Sequence, residues 1–135
     1  MYFTLEADYA VRIVHCLAQS EVRLDAKTIS ERSTVTLRFA LKILRKLVES
    51  GIVKSFKGTQ GGYILAQKPE DITLKAVIET VEGKYQLSRC LDPEHGCNRG
   101  MSGKCCFQKV FGEISSDVDK KLSSYNFDMF IYLNT

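Results

Sequence analysis

The chain has 135 residues, 44% of them apolar, and a formal charge of +3, which suits one ordinary domain, or a small domain with an appended helix, and excludes a large multidomain enzyme. No apolar run is long enough to span a bilayer. The opening Met-Tyr-Phe-Thr-Leu-Glu lacks the basic start of a secretory signal, so a cytoplasmic protein with reduced thiols is expected.

The small net charge conceals an uneven distribution. Eight basic residues lie between Lys27 and Lys57, opposed only by Glu31 and Glu49, whereas acids outnumber bases after Lys68. Such a stretch reads equally as a phosphate-binding face or as a solvated helix surface.

In chain order, Thr4 to Gln19 reads as a mostly buried helix, because Leu5, Tyr9, Val11, Ile13, Val14 and Leu17 are dense along it. His15 and Cys16 within it read as core residues. Asp25 caps a short second helix running to about Arg32. Ser33-Thr34-Val35-Thr36 is a polar turn that also caps a third helix, which runs to Ser50 and stops at Gly51. Leu37, Leu44, Leu47 and Val48 form its expected buried stripe, with Arg38, Lys42, Arg45, Lys46 and Glu49 opposite. Two short helices joined by a tight turn, the second basic and amphipathic, match a helix-turn-helix.

Ile52 to Lys57 and Tyr63 to Ala66 then flank Gly58-Thr59-Gln60-Gly61-Gly62. This is a β-hairpin with a glycine-rich loop, placed where a winged helix carries its wing. A loop without bulky side chains lets its backbone approach phosphate or enter a minor groove. Pro69 breaks the chain. Thr73 caps a helix that presents Leu74, Val77, Ile78 and Val81 and ends at Gly83.

Phe107, Phe111, Ile114, Val118, Leu122 and Tyr125 mark a final helix of about five turns. A stripe that long on so small a domain implies a second copy as its cover. The apolar tail from Phe127 to Leu133 is compatible with strand or helix. The expected fold is mainly α with a small β-hairpin: a winged helix-turn-helix over 1–68, then a loop and dimerisation helices over 69–135.

Between these last helices, Cys90, Cys97, Cys105 and Cys106 crowd into a loop jointed by Gly96, Gly100 and Gly103. Clustered thiols in a reducing compartment point to metal binding or redox sensing. With His95 they would make an acceptable zinc set. No phosphate loop, nucleophile elbow or carboxylate pair marks an enzyme. No membrane or small-molecule substrate is implied.

The residues Thr4 to Arg12 with Tyr9-Ala10, Ile29-Ser30-Glu31-Arg32, Leu44-Arg45-Lys46-Leu47, the wing Ser55 to Tyr63, and Ile72-Thr73-Leu74 leading to Val81-Glu82-Gly83 and the cysteine loop are similar in order to the Rrf-two family of winged-helix transcription regulators, in its iron–sulfur (IscR- and NsrR-like) branch. The resemblance covers nearly the whole chain. It implies a homodimer that binds double-stranded operator DNA; by their position on the N-terminal, outward part of the second helix of the helix-turn-helix, Thr36, Arg38, Phe39 and Lys42 are the candidate readers of base edges. Lys27, Thr28, Lys54, Ser55, Lys57, Gly58, Thr59, Gln60 and Gly61 would lie against phosphate or the minor groove.

The resemblance also implies an iron–sulfur cluster, 4Fe-4S or 2Fe-2S, on Cys90, Cys97 and Cys105, which are separated by six and seven residues. Cys106 is the alternative to Cys105, although the apolar stripe of the last helix favours Cys105. The fourth ligand is open between His95 and a carboxylate donated by the partner subunit at Asp8. Asp8 also reads simply as an acid favoured in a first helical turn. Two departures stand out. The family commonly has Arg where this chain has Lys57, and Gln108 replaces the histidine that follows the third cysteine in IscR-like members. A zinc-bound or cluster-free thiol-redox regulator is the alternative.

Overall fold

A computed structural model describes residues 3–101 and 103–133. Residues 1–2, 102 and 134–135, which include the outer ends of both expected units and the loop's Ser102, lie outside the described residues. The elements are α1 (Leu5–Ala18), α2 (Ala26–Ser33), α3 (Leu37–Glu49), β1 (Val53–Phe56), β2 (Gly62–Leu65), α4 (Leu74–Glu82) and α5 (Cys106–Ser123). Single 3₁₀ turns occur at Pro69–Asp71, Arg89–Leu91 and Phe127–Phe130.

Capping explains where the first four helices start. The Thr4, Asp25, Thr36 and Thr73 side chains accept from the N–H groups of Ala7, Thr28, Phe39 and Ala76 at 3.2, 2.7, 3.4 and 3.1 Å, each satisfying a donor the helix itself cannot. The Thr28 hydroxyl and N–H also hold the Asp25 carboxyl below its ordinary pKa. By contrast, α5 starts after Cys105 with no side-chain cap. At the far end of α3, Gly51 takes φ +83°. Its N–H bonds to the Val48 carbonyl while Ile52 N–H bonds to Leu47, so two terminal carbonyls are satisfied and the chain turns into β1.

The turn between α2 and α3 is made by Thr34 at φ 54°, ψ 47°, a left-handed conformation rare for a β-branched residue. Val35 N–H bonds to the Ser30 carbonyl, and the Ser30 hydroxyl donates to the Val35 carbonyl at 2.5 Å. These bonds hold α3 at a fixed angle to α2.

The core gathers Ala10, Ile13, Val14 and Leu17 of α1, Ile29 of α2, Ala40, Ile43, Leu44 and Leu47 of α3, and Val53 of β1. Ile72, Val77 and Phe127, from beyond Pro69, belong to the same core. The strands pair antiparallel with Val53 opposite Leu65 and Phe56 opposite Gly62. Leu24 adds an isolated bridge on the other side of β2, exchanging backbone hydrogen bonds with Tyr63 at 3.0 and 2.8 Å. The tail forms a 3₁₀ turn rather than a strand or an α-helix. Phe127 is buried, its N–H bonds to the Ile72 carbonyl, and the Phe130 carbonyl meets His15 Nε2 at 2.9 Å. His15 is thus a satisfied core residue, as expected from its helix.

One expectation changes. Leu37 was placed in the buried stripe of α3, yet it is 46% exposed while Leu44 and Leu47 are fully buried. Thr36 to Phe39 are all exposed, so the first turn of α3 projects beyond the body and carries the stripe into solvent. Along α5, Ser115 alone is buried among the described residues. Its hydroxyl accepts from Leu87 N–H at 2.8 Å, and Lys75 of α4 pairs with Asp119 at 3.0 Å. The helix leans on the rest of the chain by a polar edge, leaving Phe107, Val110 and Ile114 exposed.

Candidate nucleic-acid interface and cysteine loop

The projecting first turn of α3 carries Thr36, Arg38 and Phe39, with Lys42 one turn on, and all four are exposed. Thr36 uses its oxygen as the helix cap and keeps its hydroxyl proton to donate. Phe39 is anchored edge-on against Tyr9, with ring centroids 5.6 Å apart, so it is a fixed wedge rather than a free ring. Lys42 lies 3.9 Å from Glu6, which is bonded more closely by Lys46 at 2.7 Å. Glu6 therefore neutralises Lys46 first and leaves Lys42 mostly available. Leu37 and Leu41 are exposed on the same surface and were not among the expected readers. The signal that could have found them is their position around Arg38, one residue before it and three after.

Lys27, Lys54, Ser55, Lys57, Gly58, Thr59 and Gln60 are exposed as well, while Thr28 and Gly61 are partly covered. Among the described residues no acid pairs with Lys54 or Lys57, so both charges are free for an anion. The hairpin's glycines have internal reasons. A Cβ at Gly61 would lie 2.6 Å from the Phe56 carbonyl oxygen, and one at Gly62, at φ +136°, would lie 2.8 Å from that of Leu24. Only glycine lets the hairpin turn this tightly and press against the α1–α2 linker.

All five cysteines are free thiols. Cys16 is buried in the core, and that burial pushes its thiol pKa up, which makes it unreactive. The loop thiols differ. Cys97 receives backbone N–H groups from Met101, Arg99 and Gly100, with the Arg99 charge nearby, and its pKa is lowered. Cys90 Sγ lies 3.2 Å from the Ser88 hydroxyl. Cys105 precedes α5 and is half-buried, whereas Cys106 opens the helix and is exposed.

Gln108 is the loop's clasp. Its side-chain amide donates to the Cys90 carbonyl at 2.9 Å, and its oxygen accepts from Gly103 N–H at 2.7 Å. One side chain thereby ties the first cysteine to the segment before Cys105. Sequence reasoning treated Gln108 only as a missing histidine.

The donor set fits a thiolate-bound cluster in its chemistry: three free, partly accessible sulfurs, one of them near backbone N–H groups that favour thiolate. Among the described residues, however, no three of His, Cys, Asp and Glu stand together so as to hold a metal ion. His95 Nδ1 is taken by Asp92 Oδ2 at 2.7 Å. Asp8 sits in the first turns of α1, exposed, and is paired with Arg12 at 2.6 Å.

Comparisons with known proteins agree with this geometry. A family model described as Rrf2, iron-dependent transcriptional regulator, matches residues 3–132. The protein rrf2 of Nitratidesulfovibrio vulgaris is 29% identical over 127 residues, covering 93% of this chain and 83% of that protein. The regulator IscR of Aliivibrio salmonicida is 30% identical over 124 residues, covering 90% and 72%. Among solved structures, T. potens IscR superposes with a TM-score of 0.74 at 25% identity, covering 95% of this chain and 84% of that one. CymR, the global cysteine regulator of B. subtilis, superposes with a TM-score of 0.76 at 20% identity over 100% and 99% and speaks for the fold alone. With five helices, an antiparallel hairpin in the wing position and a family match over almost its whole length, the chain belongs to the Rrf2 family and is a winged-helix transcription regulator, not an enzyme.

Proposed function

We propose that the chain acts as a homodimer on a pseudo-palindromic DNA operator and that an iron–sulfur cluster on its loop cysteines controls operator affinity. The observation that carries the DNA-reading part is the exposed first turn of α3 together with a hairpin whose Lys54 and Lys57 meet no acid among the described residues. A helix with a free N-terminal turn enters a major groove, and its leading side chains meet base edges. Arg38 suits guanine, Thr36 either base pair, and Phe39, Leu37 and Leu41 the thymine methyl. Lys27, Thr28, Lys54, Ser55, Lys57 and the backbone from Gly58 to Gly61 lie against phosphate or the flanking minor groove. The division of labour runs near Pro69, with reading by residues 1–68 and sensing and pairing by 69–135.

Cys90, Cys97 and Cys105 would hold the cluster, 2Fe-2S or 4Fe-4S, with the partner subunit's Asp8 as fourth ligand and Cys106 as the alternative to Cys105. Such a group supplies an iron centre that responds to oxidant, nitric oxide or iron supply. The chain's part is to gather its thiolates. Gly96, Gly100 and Gly103, all at positive φ, are the joints about which the loop closes, and Gln108 sets its span. Arg12 holds Asp8 by Oδ2 alone, leaving Oδ1 to ligate, so ligation would tie the loop to α1 of the partner and a change at the iron would shift the spacing of the two recognition helices.

Anaerobic purification followed by visible absorption and iron and sulfide analysis tests this reading. A red-brown protein that loses colour in Cys90→Ala, Cys97→Ala and Cys105→Ala, but keeps it in Cys16→Ala, is the expected result. A colourless zinc protein, or metal-free protein whose DNA binding ignores all three cysteines, overturns the cluster and leaves the winged-helix regulator. For the wing, Lys57→Ala is expected to weaken duplex binding and lower the slope of log affinity against log salt by about one.

A further inference from the structure

We infer that Arg23, in the linker between α1 and α2, is a DNA-contacting residue that also positions the wing. Its guanidinium carbon lies 3.5 Å from the centroid of the Phe56 ring, and its Nη1 donates to the carbonyl of Gln60 in the hairpin loop at 3.1 Å. Those two contacts grip opposite sides of the hairpin: Phe56 ends β1, and Gln60 precedes the tight turn at Gly61. Neighbouring Leu24 is already hydrogen-bonded to Tyr63 of β2, and Gly62, opposite Phe56, gives the linker its close approach. The linker is therefore bridged to the hairpin at Leu24, and its arginine closes over the hairpin.

A guanidinium carries five N–H donors in a rigid fork. One is used on Gln60, and among the described residues no acid lies within ion-pair distance. Arg23 is exposed, so its charge and remaining donors face solvent beside Lys57 and the Gly58–Gly61 backbone. The wing itself carries lysine at that point and has no fork of its own. Arg23 brings one to it from 37 residues away. Its chemistry fits phosphate oxygens or the narrow, electronegative minor groove flanking the recognition site.

This rests on the reading that the wing meets the duplex, so the experiment carries Lys57→Ala in parallel. The probe is a duplex selected from random-sequence DNA by the wild-type protein, titrated by fluorescence anisotropy over a salt series. Arg23→Ala is expected to bind it about tenfold more weakly, with a salt slope reduced by about one. Arg23→Lys should restore the slope and only part of the affinity, because an ammonium cannot fork. An unchanged far-UV spectrum and only a small drop in melting temperature are expected, since Arg23 is exposed and the Leu24 bridge is kept. Reduced affinity at unchanged slope would assign Arg23 to wing conformation alone and overturn the contact. Unchanged affinity in Arg23→Ala with weakened Lys57→Ala would overturn Arg23 while keeping the wing; no effect in either would overturn the wing reading itself.

Discussion

The amino-terminal half and the segment from Lys84 to Ser123 are built on different terms. In the first, three helices start on side-chain caps and bury Ala10, Ile13, Val14, Ile43, Leu44 and Leu47 completely. In the second, a loop with three glycines at positive φ and an uncapped helix with a single buried residue are held by Gln108, the Ser115 hydroxyl and the Lys75–Asp119 pair. Apolar burial is non-directional and large, whereas a few half-exposed polar bonds contribute about 1 kcal/mol each. The first, its core closed by Ile72, Val77 and Phe127, is therefore fixed by apolar packing. The other has the composition of a region completed by something outside the chain.

The sharpest way to break that comparison is through substitution on each side. Leu44→Ala should cost about 2–5 kcal/mol by leaving a cavity in a filled core, whereas Cys97→Ala in metal-free protein should stay within about 0.5 kcal/mol. Urea unfolding of both variants checks this, and equal losses would mean that the loop is part of the core. A second test sits on the uncovered face of α5. Ile114→Asp places a charge where the partner's apolar stripe is expected, so the protein should sediment as a monomer at micromolar concentration. An unchanged dimer would remove α5 as the seam.

Smaller effects sharpen the picture. Gln108→Ala removes both ends of the clasp, and amide exchange should quicken at Gly103 while α1 to α3 keep their protection. If a cluster is present, its loss on exposure to air should also be faster. Least in size is the cap of α2. Because the folded pKa of Asp25 is lowered, its contribution is present above its unfolded pKa of about 3.9 and fades as pH falls through that value towards the folded one. Asp25→Ala should lower the melting temperature slightly at neutral pH and by less in acid, with Asp25→Asn largely sparing it.

Caps, glycine stops and apolar periodicity are local signals, which is why α1 to α5 and the hairpin were legible in the sequence. Leu37 was misplaced because a helical repeat says which face a residue occupies, not whether the body extends far enough to cover it. Leu41 and Arg23 escaped for related reasons: one sits on a face defined only by what α3 projects past, the other acts across a contact between distant segments. The tail was ambiguous because a short apolar stretch fits either period, and Phe127 is settled only by the Ile72 carbonyl that receives its N–H. The loop cysteines were legible as a set. Their positions relative to one another were not, because glycine-rich chain encodes freedom rather than position.

The tail has one mechanical implication. It leaves α5 at Ser124, pairs its backbone with Ile72 and Leu74 beside α4, and is then riveted to α1 through His15 to Phe130 and Gln19 to Ile131. A load on α5 thus has a short, stiff route to α1 that bypasses the loop. Pulling α5 aside would strain the rivets at one end of α1 while Asp8 sits near the other, so the strap behaves as a lever arm with its fulcrum at Phe127. Cutting the chain after Ser124 would disconnect the lever.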